Sequence, residues 1–226
     1  MRSRQEVKAL ARAAYKEQLG VCVLILLVYI LLSGLSGVTF IGALLLVPPL
    51  TVGCAFVFLQ VYTGQKTGMN SLFSGFEHFG RNLGSLLLMG LFIWLWSLLF
   101  FVPGIIKAIA YSMTPYILAD SNNISAGHAI KLSMRITQGH KGKLFVLQLS
   151  FIGRALLCSL PTLLPTVGVV AGFGTMVLLT IVGTLSTLLL ELFFLLPYIE
   201  TTMAGFYLEL KKLALDTNVA GPHEFM

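Results

Sequence analysis

The sequence predicts an all-α fold: a polytopic transmembrane helix bundle of about six spans, with amphipathic surface helices at the N-terminus and in the connections. Of its 226 residues, 57% are hydrophobic and only 11% are charged, whereas a soluble domain carries roughly 25% charged residues. Three long stretches are almost free of charge: residues 20–65, 83–106 and 144–198. Each exceeds the ~20 residues that cross a bilayer core once, and the first and third are long enough to cross twice.

The first 18 residues predict an amphipathic helix on the membrane surface. In MRSRQEVKALARAAYKEQ, basic residues recur every four positions, which places them on one flank of a helix. These residues are Arg4, Lys8, Arg12 and Lys16, and the apolar residues Val7, Leu10, Ala11, Ala14 and Leu19 lie beside them. We expect the basic flank to contact anionic lipid head groups. A simpler alternative is that these charges only keep the N-terminus in the cytoplasm.

Charge in the connections predicts the direction of each span. Spans over residues 19–32 and 41–62 are joined by the uncharged segment SGLSGVTF, which suits the external side. The next loop carries Lys66 and Arg81 and is expected in the cytoplasm, so the third span, residues 83–102, runs outward. The connection after residue 119 also favours the cytoplasm and head-group contact, because it contains Lys131, Arg135, Lys141 and Lys143.

The segment LLFFVPGIIKAIAYSMTPYILADS, residues 98–121, therefore has to reverse direction. A mere kink at Pro103-Gly104 would leave the most basic connection outside, so we predict a hairpin turn at these two residues. The fourth span is then residues 105–119. Its length covers only about 23 Å of a bilayer core of roughly 30 Å, so we expect the turn to be recessed within the protein.

The second half predicts another surface helix and two more spans. The surface helix covers residues 124–138, with Ser125 as its N-cap and Gly139 as its stop. Spans follow over residues 144–160 and 175–197, and the last helix is expected to continue into the cytoplasm. We thus predict one membrane domain, with a surface helix over 1–18, a six-span bundle over 19–212, a flexible cytoplasmic tail over 213–226 and both termini inside.

A weak threefold repeat runs through this arrangement. The segments YKEQLGVCVLIL, FGRNLGSLLLMG and GHKGKLFVLQLS each join a polar or basic surface segment to an apolar run. Each returning span also contains a proline. We interpret the chain as three units, each with a surface helix, an outward span and an inward span, because internal repeats are common in membrane proteins.

Two charged residues, Arg154 and Glu191, lie inside long apolar runs. They are expected at similar depth in successive antiparallel helices, and ionisable groups inside a bilayer are rarely left unpaired. We therefore predict that they pair or share water, either as a substrate or proton site or as a structural pair. The histidines and cysteines lack metal-ligand spacing, and no nucleophile motif occurs, so we expect no enzyme activity, metal, cofactor or nucleic-acid partner.

Four segments form an ordered and recognisable set: LFSGFEHFG, LWSLLFFVPGIIKAIAYSMTPYILAD, SAGHAIKLSMRITQGHKGKLFVLQLSFIG and LPYIETTMAGFYLEL. They resemble the corresponding segments of a family of bacterial integral membrane proteins, the domain of unknown function 975, and the resemblance extends from about Pro48 to Leu210. The family is similar, more distantly, to the membrane portion fused to some bacterial glycerophosphodiester phosphodiesterases. The resemblance implies a bacterial cytoplasmic membrane protein without an assigned reaction.

Two functions remain open at this point. The first is a non-enzymatic membrane module, or a subunit of a larger membrane assembly, with lipids and a protein partner or a second copy of the chain as its contacts. The second is a small transporter or lipid flippase that uses the Arg154 and Glu191 pair, as prolines at membrane depth would allow.

Overall fold

The computed structural model describes residues 2–163 and 173–225, and within these ranges the chain is built from helices and their connections. The α-helices are α1 (Arg4–Glu17), α2 (Leu19–Ser36), α3 (Phe40–Tyr62), α4 (Met69–Phe73), α5 (Phe79–Leu99), α6 (Phe101–Tyr111), α7 (Thr114–Asp120), α8 (Ala126–Thr137), α9 (Lys141–Ser159), α10 (Phe173–Leu190) and α11 (Leu196–Asp216). Short 3₁₀ turns cover Ser74–Phe76, Leu160–Leu163 and Pro222–Phe225, and a π-helical turn, Glu191–Leu195, joins α10 to α11.

Within the described ranges, six helical segments are long and apolar enough to cross a membrane, which confirms the predicted fold class. They are Leu19–Ser36, Phe40–Tyr62, Phe79–Leu99, Val102–Asp120, Lys141–Thr162 and Gly174–Asp216. The last is a continuous helix of 43 residues, about 65 Å at 1.5 Å per residue. It is therefore about twice as long as a bilayer core is thick.

The predicted reversal in residues 98–121 is present, but the turn lies at Phe100 rather than at Pro103-Gly104. Phe100 is extended, with φ −156° and ψ 142°, and it separates α5 from α6. Contacts across the turn pair Gly104 with Ser97 and the Lys107 ammonium with the Trp96 ring. Since residue numbers rise on one helix as they fall on the other, α5 and α6 form an antiparallel hairpin.

Pro103 and Gly104 instead shape the first turn of α6. Proline is tolerated there because the amide groups of a helix's first turn have no intrahelical acceptor. A Cβ on Gly104 would lie 2.9 Å from the Cα of Ser97, so glycine permits the close approach of the two helices. The returning span is then interrupted at Ser112 and Met113, between α6 and α7.

The three predicted units correspond to a cyclic packing. In each unit a surface helix precedes two long helices, and this surface helix packs on the returning helix of the unit before it: α4 on α3, α8 on α6 and α7, and α1 on α11. The α3–α4 contact is so close that a Cβ on Gly53 would lie 1.7 Å from the carbonyl oxygen of Leu72. The backbone N–H of Arg2 donates to Glu209 at 2.9 Å and closes the ring between the chain's two ends.

The apolar stripe of α1 is buried against protein. Val7 and Ala11 are fully buried and Tyr15 nearly so, and α1 packs mainly on α11 and α3. Leu10, which the sequence places in the same apolar face, is exposed. This helix is therefore fixed to the bundle by its apolar side, and its basic flank remains available.

The C-terminal segment is packed, which corrects the predicted flexible tail over 213–226. Helix α11 continues to Asp216, and the turn Pro222–Phe225 then folds onto α8. Glu224 pairs with Arg135 and lies 3.0 Å from His128, while Phe225 is 5% exposed and lies under the Lys211 ammonium. The acidic Glu224 thus pairs with basic residues of α8, and the neighbouring Phe225 is buried. These contacts hold the C-terminal segment against the helical bundle.

Candidate functional site

A basic pocket forms where α1 meets α9 and the start of α11. It has a volume of about 460 Å³. Its lining consists of Arg12, Tyr15, Lys16, Arg154, Leu157, Cys158, Phe194, Leu195 and Tyr198. The lining thus contains three cationic side chains and no carboxylate.

Tyr198 organises the cations around this pocket. The guanidinium carbon of Arg154 lies 4.8 Å from the centroid of the Tyr198 ring, and that of Arg12 lies 5.6 Å from it. Phe151 packs against Tyr198 edge to face, with the centroids 5.4 Å apart, and Lys8 lies 4.7 Å from the Phe151 centroid. Cations held over aromatic faces in this way are attracted by the ring quadrupole but keep their charge.

Among the residues that the structure describes, the cations of the pocket have no anionic partner. In the described ranges, ion pairs involve Glu209, Glu224 and Asp120 as acids. Lys8, Arg12, Lys16 and Arg154 take part in none of them, and Lys8 bonds only to the Ser150 hydroxyl and the Phe151 ring. Burial and the charges of Arg154 and Arg4 lower the pKa of Lys8. The site is therefore suited to an anion, which would relieve this repulsion.

The predicted direct pair between Arg154 and Glu191 is not formed. Arg154 is exposed on α9 and turns its guanidinium to the Tyr198 ring. Glu191 is half-buried in the π-helical turn of the neighbouring helix, and among the described residues neither takes part in an ion pair within 4.0 Å. The aromatic face of Tyr198 replaces the carboxylate as the partner of the arginine.

The eight predicted head-group residues fall into two groups. Lys8, Arg12 and Lys16 gather with Arg154 at the basic pocket. The other five do not line it: Arg4 and Lys131 are exposed, Arg135 pairs with Glu224, and Lys141 and Lys143 lie in the first turn of α9. That these five contact lipid stays a prediction.

A second pocket, of about 360 Å³, lies behind Phe151. Four helices, α3, α7, α9 and α11, and the α6–α7 break supply its lining, which consists of Thr51, Ala55, Ser112, Pro115, Tyr116, Gln148, Phe151, Ile199, Glu200 and Met203. The Tyr116 hydroxyl donates to Glu200 Oε2 at 3.0 Å. We call this the acidic pocket, because Glu200 is the only charged residue in its lining.

Sequence reasoning missed Glu200. The last span is predicted over residues 175–197, which places Glu200 just beyond its cytoplasmic end. The segment that follows Glu200, TTMAGFYL, was the available signal, since it contains no charged residue; its residues up to Tyr207 are buried. A carboxylate followed by a buried apolar segment lies within the helical bundle, not at its end.

A metal ion has no evident site in the part of the chain that is described. No cluster of three or more histidine, cysteine, aspartate or glutamate side chains occurs there. Cys22 and Cys54 are buried, Cys158 is half-buried, and all three are free thiols. The two pockets thus present one cluster of cations and one carboxylate, with Phe151 between them.

Comparison with known families assigns the chain. The family model described as a protein of unknown function (DUF975) matches residues 1–110 and 100–214. The chain therefore belongs to the DUF975 family, as its signature segments predict. No curated protein and no solved structure matches it. The more distant similarity to the membrane portion of glycerophosphodiester phosphodiesterases stays a prediction.

Proposed function

We propose that this DUF975 member is a non-enzymatic membrane module that holds the head group of an anionic phospholipid in its basic pocket. The observation that carries the proposal is the cluster of cations around Tyr198 without an anionic partner among the described residues. Charge-assisted hydrogen bonds from arginine and lysine to phosphate are strong, and arginine binds phosphate with two parallel donors.

The surroundings of the cations suit an amphiphile better than a free anion. Leu157 and Phe194 line the same pocket, and each leaves 66% of its surface exposed. Lys16 is three residues before Leu19, where the first apolar span begins, and basic residues at span ends lie at head-group depth. A phosphate at the cations would thus place its acyl chains along exposed apolar side chains.

The proposal includes the placement in the bacterial cytoplasmic membrane with both termini inside. Basic residues concentrate in α1, in the α3–α5 connection and in the α7–α9 region, which all lie on one side of the predicted topology. The positive-inside rule places that side in the cytoplasm. Anionic lipids are abundant on the cytoplasmic surface, where they attract basic segments. A larger assembly, with a protein partner or a second copy, belongs to the same proposal.

Thermal unfolding of the purified full chain tests lipid binding. Phosphatidylglycerol added to the detergent-solubilised protein is expected to raise the Tm, while phosphatidylcholine leaves it unchanged. Arg154→Leu should weaken the effect roughly tenfold in lipid concentration, since losing one charge-assisted contact costs about 1.5 kcal/mol. Lys66→Gln is the matched control, because Lys66 is exposed in a loop and does not line the pocket.

Two results would contradict the proposal. One is equal stabilisation by phosphatidylglycerol and phosphatidylcholine. The other is an unchanged phosphatidylglycerol effect in both Arg154→Leu and Arg12→Gln. Glycerol phosphate, which has the same phosphate chemistry without acyl chains, separates the two sources of the anion: stabilisation by it alone at equal concentration would reject the lipid.

A small transporter or flippase is the second candidate, favoured by one observation. The break between α6 and α7 contributes Ser112 to the lining of the acidic pocket, and the first turn of α7 contributes Pro115. Interrupted helices at a buried charged group are a feature of transporter binding sites. Proteoliposomes test it: movement of a labelled lipid or ion that Glu200→Gln abolishes would support transport, and absence of movement would leave the binding module.

A further inference from the structure

Glu200 lies inside the segment Gly174–Asp216, which is apolar enough to span a membrane, and it has no cationic partner in the described part of the chain. Its one hydrogen bond in the described ranges comes from the Tyr116 hydroxyl to Oε2, at 3.0 Å. No ion pair there includes it, although Glu209, on the same helix, pairs with Arg2. A charged group at such depth usually has a partner, because leaving the charge unpaired costs several kcal/mol.

The acidic pocket presents further acceptors next to this carboxylate. Gln148 lines it from α9, and its amide has no hydrogen-bond partner among the described residues. Thr51 also lines the pocket; its hydroxyl donates to the Val47 carbonyl at 2.8 Å and lies 3.4 Å from the Tyr29 hydroxyl, so one lone pair remains available. The rings of Tyr116 and Phe151 form part of the same lining. Acceptors and aromatic faces together are what a cation requires.

We propose that the acidic pocket binds a primary ammonium group, which donates to Glu200 and to the Gln148 carbonyl. A divalent metal ion is a poorer fit, because calcium takes six to eight oxygen ligands, commonly from several carboxylates, and this lining contains only one. A cavity of about 360 Å³ falls at the small end of organic-ligand sites. This inference goes beyond the proposed function, since the basic pocket does not require it.

The amine has two possible sources, a lipid head group or a soluble molecule, and the same chemistry recognises both. The test uses the full chain in phosphatidylcholine nanodiscs. Ethanolamine is the soluble probe, ethylene glycol is its uncharged counterpart, and nanodiscs with phosphatidylethanolamine are the lipid arm. Stabilisation by ethanolamine or by phosphatidylethanolamine, but not by ethylene glycol, is expected, and the arm that responds identifies the source.

Variants connect the effect to the pocket. Glu200→Gln keeps the size of the side chain and an acceptor for Tyr116, and it should weaken the amine effect at least tenfold. Gln148→Leu, at a half-exposed position, should weaken it several-fold and serves if Glu200→Gln does not fold. Glu17→Gln is the control, because Glu17 is an exposed carboxylate outside the pocket.

The outcomes separate this inference from the proposed function. Arg154→Leu should weaken the phosphatidylglycerol effect and keep the amine effect, since Arg154 lines the basic pocket and not the acidic pocket. The inference is overturned if neither amine source stabilises the wild type, if ethylene glycol does so equally, or if Glu200→Gln and Gln148→Leu both respond like the wild type.

Discussion

The charged residues around the end of α7 have polar partners within the chain, whereas those around Tyr198 have no carboxylate partner among the described residues. At the end of α7, Asp120 accepts from Lys211 at 2.5 Å and from the Tyr207 hydroxyl at 2.7 Å. Arg81 donates to three carbonyl oxygens there, including that of Leu118 at 2.9 Å. Around Tyr198, by contrast, three cations meet aromatic rings and no carboxylate. In the first region the charged groups are hydrogen-bonded or ion-paired within the chain, and the second region leaves them available to a ligand.

This difference separates structure from binding in a testable way. A paired charge contributes to the stability of the fold, because removing one partner leaves the other uncompensated. A charge without a partner costs stability and persists where function needs it. Substitutions in the α7 region should therefore lower stability without changing ligand effects. Substitutions of the unpaired charges should do the reverse.

The largest effect is expected for Tyr198→Ala, which removes the ring that holds the cations and separates the pockets. Tyr198 is 4% exposed, and truncating a buried aromatic ring costs about 3 kcal/mol. We expect a lower Tm and loss of both lipid and amine effects. Tyr198→Phe keeps the ring and is the control. If Tyr198→Ala retained the phosphatidylglycerol effect, the ring would not organise the cations.

A smaller loss is expected for Asp120→Asn, in the paired region. The change removes the anion from Lys211 and weakens the bond from Tyr207, at a cost of about 2 kcal/mol. The free energy of unfolding should fall while the phosphatidylglycerol effect is unchanged. Asp216→Asn, at an exposed position of the same acid type, is the control. A loss of lipid binding in Asp120→Asn would show that the α7 region also contributes to binding, contrary to the distinction between the two regions.

Docking of the C-terminal turn should depend on pH. Burial opposes ionisation of Glu224, but hydrogen bonds from His128 and Gly221 and the charge of Arg135 outweigh it and lower the pKa of Glu224. A lowered folded pKa adds stability above the unfolded value of about 4.3, which is lost as the pH falls through the folded pKa. The difference in Tm between wild type and Glu224→Gln, equivalent to at most about 1 kcal/mol, should therefore vanish in acid. A constant difference across that range would show that the carboxylate is not charged in the docked turn.

The smallest effect is expected for Lys8→Met, where the sign of the change in the free energy of unfolding is informative. Replacing a repelled, half-buried cation by an apolar side chain should raise the free energy of unfolding by about 0.5 kcal/mol and weaken the phosphatidylglycerol effect. Lys131→Met, at an exposed position on α8, is the control. A clear loss of stability in Lys8→Met would mean that its contacts with Ser150 and Phe151 outweigh the repulsion.

The fold was accessible from sequence because its signals are local. Apolar stretches give the number of spans, and basic connections give their direction, so the reversal before α6 could be predicted from loops far from it. The exact position of the turn could not be predicted in this way. Pro103 is the obvious turn residue, but proline also fits the first turn of a helix, and Phe100 carries no turn signal of its own.

The candidate site was less accessible because it depends on helix rotation and contact. Depth along a helix placed Arg154 and Glu191 together, but depth does not say which face a residue occupies. Arg154 meets Tyr198 instead. Tyr198 and Glu200 lie two positions apart near the start of α11 and serve different pockets. The gathering of α1 and α9 around Tyr198 joins residues more than 140 positions apart, and no local pattern encodes that contact.

The closure of α1 onto α11 has a consequence for how the protein is made. Arg2 bonds to Glu209 across 207 positions of sequence, so α1 is synthesised well before α11, on which it mainly packs. Until α11 is inserted, Val7, Ala11 and Tyr15 lack the larger part of the surface that buries them. We expect the lysines and arginines of α1 to hold it at the membrane surface during this interval. The basic pocket, which needs both α1 and Tyr198 of α11, can therefore form only late in synthesis.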